Sequence, residues 1–137
     1  MASGKSDYLE AALLNHLFGN VAYSVPTNYY FALFSSAPTD TGGGTEINTS
    51  NTGYARKLVA NNTTNFPTIT VTNSKTNGTS VDFPTATTSW GSVVAFGIYD
   101  ASTSGNLLFW GDLTTARSVL VGDTPRFAAG ALVITED

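Results

Sequence analysis

VVAFGIYDASTSGNLLFWGDL, residues 93–113, reads as two apolar strands around a turn. Val94, Phe96 and Ile98 alternate with Val93, Ala95, Gly97 and Tyr99, the period of two that a pleated strand imposes. Asp100 to Asn106 (DASTSGN) supplies a glycine and short side chains that bond their own backbone, and LLFWGDL resumes at Leu107. This predicts a hairpin. Further on, Ser118 to Val121 reads as a third run, stopped by Gly122-Asp123-Thr124-Pro125. Phe127 to Thr135 reads as a fourth, with Leu132 and Ile134 on one face and Val133 and Thr135 on the other. Consecutive strands joined by short turns lie side by side and antiparallel. Each buried Leu, Ile, Val or Phe contributes roughly 1.5–3 kcal/mol. This meander, with Trp90 and Trp110 read as core, is therefore the expected nucleus of the fold.

Upstream, Tyr29 to Ser36 (YYFALFSS) is an aromatic strand that ends at the turn Ala37-Pro38-Thr39-Asp40. Asp40 to Asn51, with Gly42-Gly43-Gly44 among Thr, Asn and Ser, predicts a flexible surface loop, and Tyr54 to Ala60 a returning strand. Phe66 to Thr72 alternates Ile69 and Val71 with threonines, as a half-exposed strand would, with Pro67 keeping its start at an edge. Asn77-Gly78, the preferred tight hairpin turn, leads into Ser80 to Phe83. At the N-terminus Leu9, Ala12, Leu13 and Leu17 recur at helical spacing, flanked by Tyr8 and Phe18. Ser6 or Asp7 caps the start, and Gly19 or Asn20 supplies the left-handed stop. The fold predicted is all-β, an antiparallel β-sandwich or partly closed barrel with one short N-terminal α-helix. It forms a single domain over residues 1–137, with an arm at 1–5, the helix at 6–19 and the β core at 20–137.

A chain of 137 residues buries enough surface for one core without staples, and it has no cysteine to make one. Charged residues are only 12% of it, while threonine occurs 21 times, so hydroxyls and amides must solvate the surface. The net charge of -4 offers no basic footprint, and no nucleic-acid partner is expected. No apolar run approaches membrane-spanning length and no basic-then-apolar leader opens the chain, so no membrane partner and synthesis in a cytoplasm are expected.

Residues that could carry chemistry are few. His16, the single histidine, lies mid-helix without patterned carboxylates, so no metal site is expected and a structural or interface role is assigned. Gly42-Gly43-Gly44 is not followed by the Lys-Ser/Thr of a phosphate loop, and Asp100 to Asn106 lacks calcium-loop spacing. No nucleophile elbow and no facing pair of carboxylates appear. No catalytic residue and no cofactor are assigned, and the chain is not expected to be an enzyme. Arg56, Lys57, Arg117 and Arg126 are each expected to pair with an acid. A helix of three turns is marginal alone, so its apolar stripe must lie on the sheet or on another subunit. Tyr8, Leu9, His16 and Phe18 are the assigned interface residues.

Several motifs together carry a resemblance. They begin with Ser6-x-Tyr8-Leu9-Glu10-x-Ala12-Leu13-Leu14-Asn15-His16-x-Phe18, Tyr30 to Phe34 with Ala37-Pro38-Thr39-Asp40, and Gly53-Tyr54-Ala55-Arg56. They continue with Phe83-Pro84-x-Ala86-Thr87-x-Ser89-Trp90-Gly91, Phe96-Gly97-Ile98-Tyr99-Asp100-Ala101, Gly105-Asn106-Leu107-Leu108 and Gly122-Asp123-Thr124. In this order they resemble a family of small tailed-bacteriophage virion proteins, whose members are labelled tail fibre proteins and which is similar to capsid decoration, or cement, proteins. The resemblance implies a virion structural protein made in the host cytoplasm. The chain has no heptads and no stalk, which favours a cement protein on the capsid surface over the alternative, a tail fibre or tail-tip protein binding the host surface. The expected partners are then the major capsid protein and the chain itself, as a homodimer or homotrimer.

Overall fold

A computed structural model describes residues 3–136. Ser3–Lys5 (β1) leads into one helix, Asp7–Leu17 (α1). Then come Asn28–Ser36 (β2), Thr45–Glu46 (β3), Lys57–Ala60 (β4), Ser74–Thr76 (β5) and Val81–Asp82 (β6). The C-terminal half holds Gly91–Tyr99 (β7), Leu107–Val119 (β8), Arg126–Phe127 (β9) and Val133–Thr135 (β10). The main sheet runs β1-β8-β7-β2-β3, with β4 also paired to β2, and every pairing is antiparallel. Two small ribbons, β10 with β5 and β6 with β9, complete the architecture. It is all-β apart from α1, as predicted, and of the two forms considered it is an open sandwich; the described strands close no barrel.

Register explains the core. Phe31 lies opposite Ile98, which lies opposite Phe109, and Leu33 lies opposite Phe96, so their side chains share one face of the sheet. That face packs against Tyr54, Phe66, Val81, Phe83, Ala86, Trp90 and Leu132, contributed by the ribbons and the loops around them. The opposite face carries the smaller cluster of Ala32, Phe34 and Ala95. There Gly97 is required, because a Cβ on it would stand 2.9 Å from the Phe34 ring.

The predicted hairpin of residues 93–113 is present as β7 and β8. Its loop is closed by Asp100, whose Oδ1 accepts the Asn106 N–H at 2.8 Å and whose Oδ2 accepts from the Asn106 amide at 2.9 Å. Beyond it the expected meander is corrected. Ser118 and Val119 continue β8 instead of opening a new strand. Asp112 faces Ala95 and Arg117 faces Val93, so Leu113 to Ala116 bulge opposite the single residue Val94. The run from Phe127 to Thr135 divides into β9 and β10, which pair with β6 and β5 and not with β8.

The segment Phe66 to Thr72 is irregular, because only Phe66 is buried while Ile69 and Val71 stay exposed. Asn77-Gly78 does not turn a hairpin. The buried Asn77 side chain accepts the Leu132 N–H at 2.9 Å and donates to the carbonyls of Thr79 and Ala128 at 2.8 and 2.9 Å, which ties this strand to distant chain. Trp90 is core, edge-on to Tyr54 at 5.3 Å, but Trp110 is only half-buried and donates its Nε1–H to Asp40 at 2.9 Å. Of the predicted arm, Met1 and Ala2 lie outside the described residues, and Ser3–Lys5 is a strand on the edge of β8. The predicted loop after Asp40 is held by β3 and by Gly44, at φ +72° and tight against the Ser36 carbonyl.

Two glycines separate steric from conformational cost. A Cβ on Gly78 would lie 2.1 Å from the Thr64 carbonyl oxygen, whereas Gly43, at φ +78°, faces open space. Gly78→Ala should therefore cost about 3 kcal/mol or more in urea unfolding, and Gly43→Ala only about 1–2 kcal/mol for its left-handed backbone. Equal midpoint shifts would contradict the close approach at Gly78.

Candidate interaction surface

Among the described residues no group of three or more His, Asp or Glu side chains is placed to hold a metal. The densest set of ionisable groups surrounds Arg56, just before β4. Its Nε and Nη2 fork onto both oxygens of Glu46 in β3 at 2.9 and 2.8 Å, and Nη1 donates to the carbonyls of Ala101 and Ser104 at 2.9 and 2.8 Å. The guanidinium carbon sits 3.7 Å from the centre of the Tyr99 ring, a cation–π contact. Tyr54 donates its hydroxyl to Glu46 at 2.7 Å and accepts the Leu33 N–H at 3.1 Å. Each nitrogen of the guanidinium and both oxygens of Glu46 thus have a partner within the protein. The arrangement fastens segments and presents no free nucleophile or base.

The tyrosines record this burial. The Tyr54 phenol is pushed far above its ordinary 10.0, by desolvation first and then by the Glu46 charge. Tyr99, Tyr29 and Tyr23 are also raised, in each case chiefly by desolvation. The other cations have mixed partners. Arg126 pairs with Asp82 at 2.8 Å and Lys5 with Glu136, while Lys75 donates to the carbonyls of Phe66 and Pro67 at 3.4 and 2.9 Å.

The assigned interface residues separate in space. The Ser6 hydroxyl caps α1 by accepting the Leu9 N–H at 3.2 Å, and Leu9 is buried against the sheet inside its own chain. Tyr8 is half exposed and Phe18 is exposed at the C-cap. His16 is exposed, with Nδ1 accepting the Tyr23 N–H at 3.3 Å, so the histidine holds the chain that leaves the helix. Leu14, Leu17, Val21 and Val25 are exposed too and were not among the assigned residues. The signal for Leu14 and Leu17 was present, since with Phe18 they form an i, i+3, i+4 set, but one-dimensional periodicity does not say which of two apolar stripes meets the sheet. A concavity of about 520 Å³ is lined by Tyr29, Phe66, Ile98, Phe109 and Ile134 together with Asn61, Asn62 and Thr63. Its lining is mainly apolar, with a few amide side chains and the charged Lys75 and Glu136 beside them, the makeup of a site for a small group or a partner side chain.

The family model of the podophage GP4 fiber I protein gp80 matches residues 4–135. The chain belongs to this family. The matched span runs from the second residue of β1 to the last residue of β10, so the family unit is the whole fold, with α1 included. No curated protein matches the chain. Membership makes it a structural component of a phage virion, as the resemblance implied. The described geometry fits that office, because its buried polar groups are consumed in holding the chain together and its exposed surface includes several large apolar side chains.

Two measurements probe the Arg56 cluster. Arg56→Ala strands Glu46 and uncovers Tyr99, and should cost about 2–4 kcal/mol of unfolding free energy, with Arg56→Lys recovering less than half because an ammonium cannot fork. Raised phenol pKa values mean that above pH 10 the unfolded chain releases protons that the folded chain keeps. Stability present below that pH is therefore lost as pH rises. Phenolate absorbance and backbone circular dichroism should change together in alkali. Smooth ionisation of every tyrosine with the fold intact would contradict the burial.

Proposed function

We propose that this chain is a fibre subunit at the phage tail and not a cement protein on the capsid shell. The observation that carries the reading is the match of residues 4–135 to a fibre family. The absence of heptads and stalk, which favoured cement when the sequence was read alone, weighs less against that match. A short chain can be one module of a fibre assembled from several proteins.

The mechanism is association. A sheet of long strands fixed by a buried ion pair supplies a rigid body, and exposed apolar side chains on α1 supply adhesion. Partners bound through such surfaces are neighbouring virion proteins, the chain's own copies among them. Ten acids against six bases give no affinity for the phosphate backbone of nucleic acid, and no enzymatic step enters the reading. Binding an assembled particle in preference to free subunits stabilises the assembly by mass action in either location.

Gold-labelled antibody against the chain, applied to intact phage particles, is expected at the tail end. Label spread evenly over the shell, together with binding of the purified chain to assembled major capsid protein, would overturn the fibre reading in favour of cement.

A further inference from the structure

We propose that the concavity lined by the main sheet and the β5–β10 ribbon binds a pyranose ring, a ligand with an apolar C–H face surrounded by hydroxyls. The apolar part of its lining comes from one face of the sheet. Tyr29 lies two residues before Phe31 in β2, so it shares a face with Ile98 and Phe109, which stand opposite one another in β7 and β8. Phe66 joins them, edge-on to Tyr29 with ring centres 5.7 Å apart. The ribbon contributes Lys75 opposite Ile134, and Glu136 two residues further on. Asn61 and Asn62, exposed on the segment after β4, complete the polar part.

The lining is fastened within the chain before any ligand arrives. Asn62 Oδ1 accepts the Asn65 N–H at 2.9 Å, and the Asn61 amide donates to the Pro26 carbonyl at 3.0 Å. Lys75 donates to the Pro67 carbonyl at 2.9 Å, and the Glu136 N–H donates to the Asn73 carbonyl at 2.8 Å. These bonds occupy one end of each asparagine. No hydrogen bond within the described residues takes up Asn61 Oδ1 or Asn62 Nδ2, so one acceptor and one donor are left for a ligand. The charges in the lining are one of each sign, Lys75 and Glu136, the latter also paired with Lys5. A ligand of single charge is opposed by one of them, and a purely apolar one leaves the amides without partners. The set asks for groups that both donate and accept, and a hydroxyl does so by turning about its own bond. A sugar ring carries several, and its C–H face packs on apolar surface and on the electron-rich faces of aromatic rings. The volume of about 520 Å³ lies within the roughly 300–1,000 Å³ usual for ligand sites.

The site is independent of where the chain sits in the virion. Antibody label on the shell with sugar binding intact would remove the fibre reading alone, and label at the tail without sugar binding would remove this proposal alone. The full chain, isotopically labelled, is titrated with the methyl glycosides of glucose, galactose, mannose, rhamnose and N-acetylglucosamine and followed by nuclear magnetic resonance. At least one glycoside is expected to shift the side-chain amide signals of Asn61 and Asn62 saturably, with a Kd of about 1 mM or tighter. Asn62→Asp keeps the oxygen that accepts from Asn65 and replaces the free donor by an acceptor, so it should weaken binding about tenfold or more while the chain stays folded. Tyr29→Leu should weaken binding as well, and Tyr29→Phe, which keeps the ring, should restore most of it. Arg117→Gln, at a different concavity, should change nothing. A disaccharide of the bound sugar that binds more tightly than the methyl glycoside assigns a glycan chain as the ligand, and equal affinity a single ring. No saturable shift with any of these glycosides up to about 50 mM overturns the site. Shifts that survive both Asn62→Asp and Tyr29→Leu overturn it equally, because the sugar then binds elsewhere.

Discussion

The fork of Arg56 on Glu46 is the contact on which the other relations in this molecule hang. Before folding, the partners of Arg56 are strung along the chain at residues 46, 99, 101 and 104. In the fold a single guanidinium draws them together: the carboxylate of β3, the two carbonyls of the β7–β8 loop and the ring of Tyr99. The Arg56 side chain is 8% exposed and that of Glu46 25%. Burying such a pair is favourable only when the remaining donors are also engaged, and here Nη1 donates to two carbonyls. Glu46 then orients Tyr54, whose hydroxyl takes the backbone N–H of Leu33 in the centre of the main sheet and whose ring meets Trp90. One charge pair thereby connects the sheet to the layer that covers it.

That second layer is built differently from the first. Three long strands, β2, β7 and β8, form a continuous ladder, whereas the opposing layer has ribbons of two or three residues and much irregular chain. Such chain needs partners for its backbone groups. The composition provides them: Asn77, Asn65, Thr52 and Ser89 each bond backbone atoms across the layer or within its turns. No buried side-chain polar atom among the described residues is left without a partner. A sequence poor in charge and rich in threonine and asparagine thus spends its polar side chains on internal cohesion, and what it leaves outside includes a broad apolar face.

This division of labour is what a virion component needs. A fibre module must transmit force and position without rearranging, and a fold pinned by side-chain-to-backbone bonds is stiff for that reason. The family to which the chain belongs makes it a virion component.

Local chemistry alone determined the hairpin of residues 93–113, the strand at Tyr29 to Ser36, the helix with its Ser6 cap, and the all-β class, because period, turn residues and caps act between near neighbours. The order of the motifs also identified the family. Tertiary structure decided the rest. Sequence alternation marks Phe66 to Thr72 as a strand, but no neighbouring strand comes to pair with it. Asn77-Gly78 has the chemistry of a tight turn, yet the Asn77 amide found two distant backbone groups, at Ala128 and Leu132, beside its local bond to Thr79. The stretches Leu107 to Leu113 and Ser118 to Val119 look separate until a bulge carries one strand through both. The sheet could receive only one side of α1, and it took Leu9 and left Leu14, Leu17 and Phe18 outside. In each case the outcome depended on which partner arrived from far along the chain, and that is a property of three-dimensional packing, not of local sequence.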